Sequence, residues 1–411
     1  MTSAAKSAPR QFQSFITGFL EHTELLPTSL LYRKWAAIGC IASALGRRTW
    51  WRLNKQTDPL HPNMFLFVVG RPASGKSQAL DMAHALLSAA GATHLAPDSI
   101  TKEFLIRRMA ESMEAVDFGL GLPYMQSNFT IVNSEIGNFI PRQDHLFMRY
   151  LARLYDCPPT FQYETKHQSG EDGTKDHVEN PCLNILGGVQ PVWIKEALPQ
   201  EAFETGLPSR MVMIYQNERT HIDVALEEPE GDDFGPSNNL GPLYKRLVID
   251  LRAIGKMKGR FVMTPDARMM LQDFINLKRT PEPTHPKLET YNLRRWMHLA
   301  KLSMIVSAAQ RSDRTIGVAD MLLAEDLLQE AEVSMAGALS WAGDNPLRPQ
   351  MDFALSIIES NWANGRKWTP VHIVQRALWD ELHPAMWRFV LDALTQTKVV
   401  FELDGAMRPT E

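Results

Sequence analysis

Residues 64–77 read MFLFVVGRPASGKS, an apolar run that ends on a glycine and opens into GRPASGKS at 70–77. The run has no polar alternation and is short, which predicts a strand buried on both faces. The next segment, KSQALDMAHALLSAA (76–90), carries its apolar residues at helical spacing. The octapeptide satisfies G-x-x-x-x-G-K-[ST], and strand before with helix after is the context that gives the pattern its meaning. Gly70 and Gly75 let the backbone curl so that successive N–H groups point inward at phosphate oxygens. Lys76 is of a length to reach the β- and γ-phosphates, the Ser77 hydroxyl is a Mg²⁺ ligand, and the helix start adds its positive dipole end. The expected nucleotide-binding segment is Gly70, Arg71, Pro72, Ala73, Ser74, Gly75, Lys76, Ser77 and Gln78, with ATP and Mg²⁺ as cofactors.

Hydrolysis needs a carboxylate to orient water, and it is sought at the polar end of a second apolar strand. FTIVNSE (129–135) supplies Glu135 in that place, as base and as a partner of the metal site. Ser134 stands where an aspartate commonly holds the metal through water, which shifts metal binding toward Ser77. A third strand, CLNILGG (182–188), leads to Gln190, suited to touching the γ-phosphate or the attacking water; Asn184 lies mid-strand and suits this less. RMVMIYQ (210–216) reads as the last core strand.

Around these, 12–47 reads as two or three helices, the second capped by Thr28 or Ser29, and RTWWRL (48–53) as a strand. Ser99–Ala115 and 144–155 read as helices and Phe161–Val178 as a hairpin. Alternation of strands and helices predicts an α/β core with a mostly parallel sheet. The domains expected are an N-terminal helical segment (1–58), a P-loop ATPase core (59–225), an acidic Gly/Pro-rich linker (226–239), a helical lid (240–345) and a winged-helix-like module (346–411). In the last, Trp362, Trp368, Trp379 and Trp387 have core spacing, and the bases Arg376, Arg388, Lys398 and Arg408 are sparse.

The 411 residues, 44% hydrophobic and 22% charged, fit a multidomain globular protein. A net charge of −4 excludes a surface uniformly coated in base but leaves room for a basic channel. Cys40, Cys157 and Cys182 have neither metal-like nor disulfide-framework spacing, which suits a reducing compartment. The start, MTSAAKSAPRQFQ, lacks a signal-peptide core and no apolar run reaches membrane length. A cytoplasmic location without membrane contact is expected. The hairpin segment FQYETKHQSGEDGTKDHV holds Lys166 and His167 before its turn and Lys175 and His177 after it, mixed with acids. Those bases are the candidates for tracking single-strand phosphates.

In order along the chain, GRPASGKS, TIVNSE, NILGGVQP and GLPSRM resemble the motifs of an AAA+ ATPase. HPNMFLFVVGRPASGKS, GGVQP (187–191) and LPSR (207–210) together look more narrowly like a family of phage, prophage and plasmid P-loop proteins, over about residues 12–340. The resemblance implies a replication-associated, helicase-like ATPase in a bacterial cytoplasm, similar to superfamily-3 helicases, whose hairpin before the third strand grips DNA in a ring. It implies a homo-oligomer, with a hexamer expected, single-stranded or forked DNA as partner, and primase or a host replicative helicase as neighbour. It also implies that Arg210 is an arginine finger acting on the neighbouring subunit, with Arg149 and Arg153 as weaker competitors. Arg294 and Arg295 would be a second sensor that the lid swings over the phosphates. A helicase loader, and a nucleotide-gated assembly or defence module, are the other readings.

Overall fold

The computed structural model describes residues 10–119, 121–140, 144–164, 175–198, 206–216, 241–276, 288–340, 347–366, 368–379, 382, 384–396, 399–403 and 405–409. They fall into two compact units, Met1–Leu339 and Ser340–Glu411.

The first unit is built on a mostly parallel sheet. In chain order its strands are β1 (Phe65–Val69), β2 (His94–Leu95), β3 (Glu114–Val116), β4 (Tyr124–Asn133), β5 (Pro181–Val189) and β6 (Met211–Tyr215). Across the sheet the order is β2-β4-β5-β1-β6, with β3 running antiparallel alongside β4. β1 therefore has β5 on one side (Phe65 opposite Ile185, Val69 opposite Val189) and β6 on the other (Phe65 opposite Met211, Val69 opposite Tyr215). Every residue of β1, β5 and β6 is buried, which is why these segments are continuous apolar runs rather than alternating ones.

Two expectations about this region change. The segment read as one helix from Ser99 to Ala115 is a helix only over Lys102–Glu111, and Glu114–Val116 turns back as β3. RTWWRL contributes only a two-residue strand, Thr49–Trp50, which pairs with Gly259–Arg260. The helix after the glycine-rich loop, α3 (Lys76–Ala90), has the limits read from sequence.

The N-terminal helices α1 (Phe15–His22) and α2 (Leu30–Leu45) lie against the sheet. A Cβ on Gly39 of α2 would fall 2.4 Å from Leu186 of β5, so only glycine lets the helix approach this closely. The described helices between Pro242 and Leu339 belong to the same unit. The Lys301 ammonium, buried on Glu289–Gln310, donates to Asn63 O at 3.0 Å and Oδ1 at 2.8 Å just ahead of β1.

The second unit has three helices, Arg348–Ala363, Val371–Ala377 and Pro384–Gln396, and a three-stranded antiparallel sheet made by Thr369–Pro370, Val400–Leu403 and Ala406–Pro409. Thr369 and Pro370 pair with Met407 and Ala406 as a short strand, and Pro370 is also the N-cap of the helix Val371–Ala377. Ile358, Val374, Leu378, Val390 and Met407 form its core. Trp379 is an exception to the core expectation, at 64% exposure. Arg408 lies 5.4 Å from the Trp368 ring centre and 5.6 Å from that of Phe401, so this base is packed on aromatic faces rather than projecting freely.

Candidate functional site

The carboxyl ends of β1, β4 and β5 meet at one edge of the sheet, where parallel α/β folds present their ligand sites. At that edge residues 70–75 turn from β1 into α3. Ala73 and Gly75 take positive φ values of 61° and 80°, the left-handed backbone that lets consecutive N–H groups converge. The first N–H groups of α3 have no intrahelical acceptor and face the same concavity. Gly70 N–H donates to Val189 O at 3.2 Å, fastening the start of the loop to β5.

The Lys76 ammonium is folded onto the loop itself. It donates to Gly70 O at 2.6 Å and Arg71 O at 2.8 Å, with Ser74 Oγ at 3.4 Å. Burial lowers its pKa, and the charge of Glu135 acts in the opposite sense. The lysine and the carboxylate expected from sequence are thus brought into one electrostatic neighbourhood. Ser77 and Gln78 are exposed on the first turn of α3, and Arg71, Pro72 and Ala73 lie on the loop that leads into it.

Glu135 itself is exposed, in the turn beyond β4. Its N–H donates to Asn133 Oδ1 at 2.7 Å, and Asn133 Nδ2 donates to Asp98 O at 2.7 Å, so the turn is tied to the loop after β2. A cavity of about 380 Å³ opens beside it, lined by Asp81, His84, Asp98, Asn133, Ser134 and Glu135 among others. Burial raises the Asp81 pKa, His84 opposes the rise and Asp98 adds to it.

The paired glycines of GGVQP have a steric cause that the sequence did not reveal. A Cβ on Gly188 would lie 2.3 Å from Ser134 O, and one on Gly187 2.5 Å from Ile136 Cγ2. The turn carrying Glu135 crosses directly over β5, and two consecutive glycines make room for it. Gln190 follows Val189 at the head of the helix Pro191–Ala197, between the ends of β1 and β4. Asn184 is buried mid-strand and accepts from Met64 N–H at 3.0 Å, a structural bond that leaves it no part at this edge.

Arg210 lies at the opposite edge. It precedes Met211, which pairs with Phe65, whereas the loop follows Val69. At ~3.3 Å per residue, the offset along the strands is ~20 Å. The guanidinium is buried, with Nε on Asp156 Oδ1 at 3.1 Å, Nη2 on Asp156 Oδ2 and Nη1 on Gly206 O at 2.7 Å.

Arg294 joins the same carboxylate at 3.6 Å and is 32% exposed. Arg295 is buried against Glu332, at 2.7 Å, and over the Phe274 ring. The partners of this pair are Asp156 for Arg294 and Glu332 for Arg295. Arg149 and Arg153 are on the helix His145–Tyr155, and Arg153 lies over Phe161.

The hairpin is present as Thr160–Glu164 paired with Lys175–Glu179. Lys175 faces Glu164 at 3.7 Å and His177 faces Glu179 at 3.9 Å, so both bases have acidic neighbours. Lys166 and His167 lie outside the described residues.

The donor set fits a nucleoside triphosphate: left-handed glycine, converging N–H groups and a buried ammonium on a loop carbonyl that a phosphate oxygen would replace. The exposed Ser77 hydroxyl and Glu135 carboxylate fit Mg²⁺ only as part of a shell completed by phosphate and water. Among the described residues no group of three or more His, Cys, Asp or Glu side chains is arranged to hold a metal. No described helix is long and apolar enough to cross a membrane. No protein-family model matches the chain, and no curated protein matches it.

Proposed function

We propose that the chain is an ATPase of the AAA+ P-loop class, working as a ring-forming DNA helicase or translocase in phage or prophage replication. The observation that carries the ATPase reading is that Lys76 and Glu135 both follow the carboxyl ends of parallel strands, β1 and β4, on either side of β5 at one sheet edge. Two strand spacings separate the loop strand from the carboxylate strand by ~9.6 Å, room for a phosphoryl group with a water beyond it. In this reading Lys76 exchanges the carbonyls of Gly70 and Arg71 for β- and γ-phosphate oxygens. Glu135 orients and deprotonates the attacking water, and Gln190, just past the end of the strand between, holds that water or the γ-phosphate. Mg²⁺, when bound, would be held by the Ser77 hydroxyl with Glu135 as partner and would neutralise phosphate charge.

The distance of Arg210 from its own loop supports assembly, since any nucleotide it meets must belong to a neighbouring copy. For that contact its bond to Asp156 must open or be shared, and the more exposed Arg294 stands beside it. A second reading is a helicase loader, which remodels a partner ring without unwinding DNA. The acidic neighbours of Lys175 and His177 favour it, because they reduce what the described part of the hairpin can offer to phosphates. Strand displacement on a forked duplex with ATP and Mg²⁺, with Lys76→Ala as control, separates the two. Unwinding that vanishes in Lys76→Ala supports the helicase; ATPase activity without unwinding supports the loader.

A further inference from the structure

The Glu135 carboxylate stands on a turn, which does not fix a side chain as a strand or helix does. Glu135 has φ −131° and ψ 54°, so its backbone continues neither β4 before it nor the 3₁₀ turn Ile136–Asn138 after it. The residues around it are set by packing. Ser134 lies over Gly188 and Ile136 over Gly187, and a Cβ on Gly137 would fall 2.6 Å from Trp193 Cδ1. These contacts grip the turn on both sides of Glu135 and leave Glu135 exposed between them. Among the described residues its carboxylate makes no hydrogen bond or ion pair.

One side chain holds Glu135 itself. Asn133, the last residue of β4, accepts the Glu135 N–H on Oδ1 at 2.7 Å and donates from Nδ2 to Asp98 O at 2.7 Å. An amide with its oxygen on an N–H and its nitrogen on a carbonyl is fixed in orientation, and both of its polar ends are used. An aspartate of the same shape lacks the donor, and a serine offers one polar atom in place of two. The far end of this bridge is anchored as well. The chain leaves β2 through Ala96, whose N–H donates to Thr130 O at 2.9 Å on β4. The bonds Ala96–Thr130 and Asn133–Asp98 thus tie residues 96–98 to β4 at two points, and the amide refers the Glu135 turn to the sheet.

We propose that Asn133 is a positioning residue for hydrolysis: its amide sets the Glu135 backbone so that the carboxylate meets the attacking water. It acts through Glu135 rather than on the nucleotide. This deepens the ATPase reading above and rests on it.

The test uses the full chain. ATP turnover with Mg²⁺ and equilibrium binding of a fluorescent ATP analogue are measured for the wild type, Asn133→Ala and Asn133→Ser, and for both substitutions combined with Glu135→Gln. Asn133→Ala loses both bonds and is expected to lower kcat about ten- to hundredfold, the scale of a ~1 Å misplacement, with affinity held within about twofold. Asn133→Ser can still accept the Glu135 N–H and is expected to lose about three- to tenfold. In the Glu135→Gln background either substitution should change turnover by less than about twofold, because the group it positions is already gone. A merely structural asparagine would cost the same in both backgrounds. Where the alanine variant does not fold, the serine variant carries the same comparison. Wild-type kcat in Asn133→Ala, equal costs in the two backgrounds, or affinity and turnover falling together overturns the inference. A wild type that binds ATP without hydrolysing it removes the ATPase reading, and the inference falls with it.

Discussion

Asp156 takes both arms of Arg210, with Nε at 3.1 Å, and holds Arg294 at 3.6 Å on the same carboxylate. The cluster sits at the end of the sheet away from the glycine-rich loop, where the helix His145–Tyr155 runs out and β6 begins. Arg210 is thus both the residue expected to reach a neighbouring subunit and a buried structural bond of its own subunit.

Arg210→Ala is therefore expected to cost stability without nucleotide present. Removing one partner of a buried pair costs ~3–5 kcal/mol, and because Asp156 is partly exposed the loss here should be nearer ~1–3 kcal/mol. Arg210→Lys should recover little, since an ammonium cannot take both carboxylate oxygens side by side. Thermal unfolding of the unliganded variants measures this; equal melting temperatures for the wild type and Arg210→Ala would show that the pair is not structural.

Gly188→Ala should reduce turnover more than it reduces nucleotide affinity. The added methyl would meet Ser134 O at 2.3 Å and push the Glu135 turn off β5, while the loop at 70–77 keeps its fastening through Gly70 N–H and Val189 O. Steady-state kinetics read this as a fall in kcat with a smaller change in KM. The reverse pattern would mean that the turn does not carry the hydrolytic group.

Two buried histidines give the stability a pH dependence of known sign. Burial first, with nearby cations adding, lowers His61 well below its ordinary value and His298 to about 3. Between that range and the unfolded value near ~6.5, the unfolded chain binds the extra protons, so stability falls as pH drops through the window. Each histidine adds up to ~1.4 kcal/mol per pH unit there. Denaturant unfolding between pH 7 and 5 should show the slope, and His298→Gln should flatten it. An unchanged slope in that variant would count against a neutral buried His298.

Much of this was legible because the deciding stretch is both chemically and sterically constrained. A fully buried strand, a glycine-bounded loop and an amphipathic helix leave few alternatives, and the limits of α3 came directly from them. Features that depend on distant partners were not legible. His94–Leu95 is a strand only because Phe129 and Thr130 lie beside it, and Glu114–Val116 only because Tyr124–Gln126 returns along it. GGVQP was readable as a motif, but the close crossing of Ser134 that requires its glycines was not. Arg210 and Arg294 were picked out individually, yet nothing in their spacing announced Asp156. The bonds from Asn133 to Glu135 and Asp98 had no sequence signal beyond an asparagine at a strand end.

Everything proposed for this chain depends on whether the edge that gathers Lys76 and Glu135 binds and hydrolyses ATP. The most direct measurement is release of phosphate from ATP with Mg²⁺ by the wild type, Lys76→Ala and Glu135→Gln, alongside equilibrium binding of the same nucleotide. The expected result is binding and turnover by the wild type, loss of both in Lys76→Ala, and retained binding with turnover down by ~10²–10⁴ in Glu135→Gln. A wild type that does not bind ATP, or a Glu135→Gln variant that hydrolyses it at the wild-type rate, would contradict the assignment.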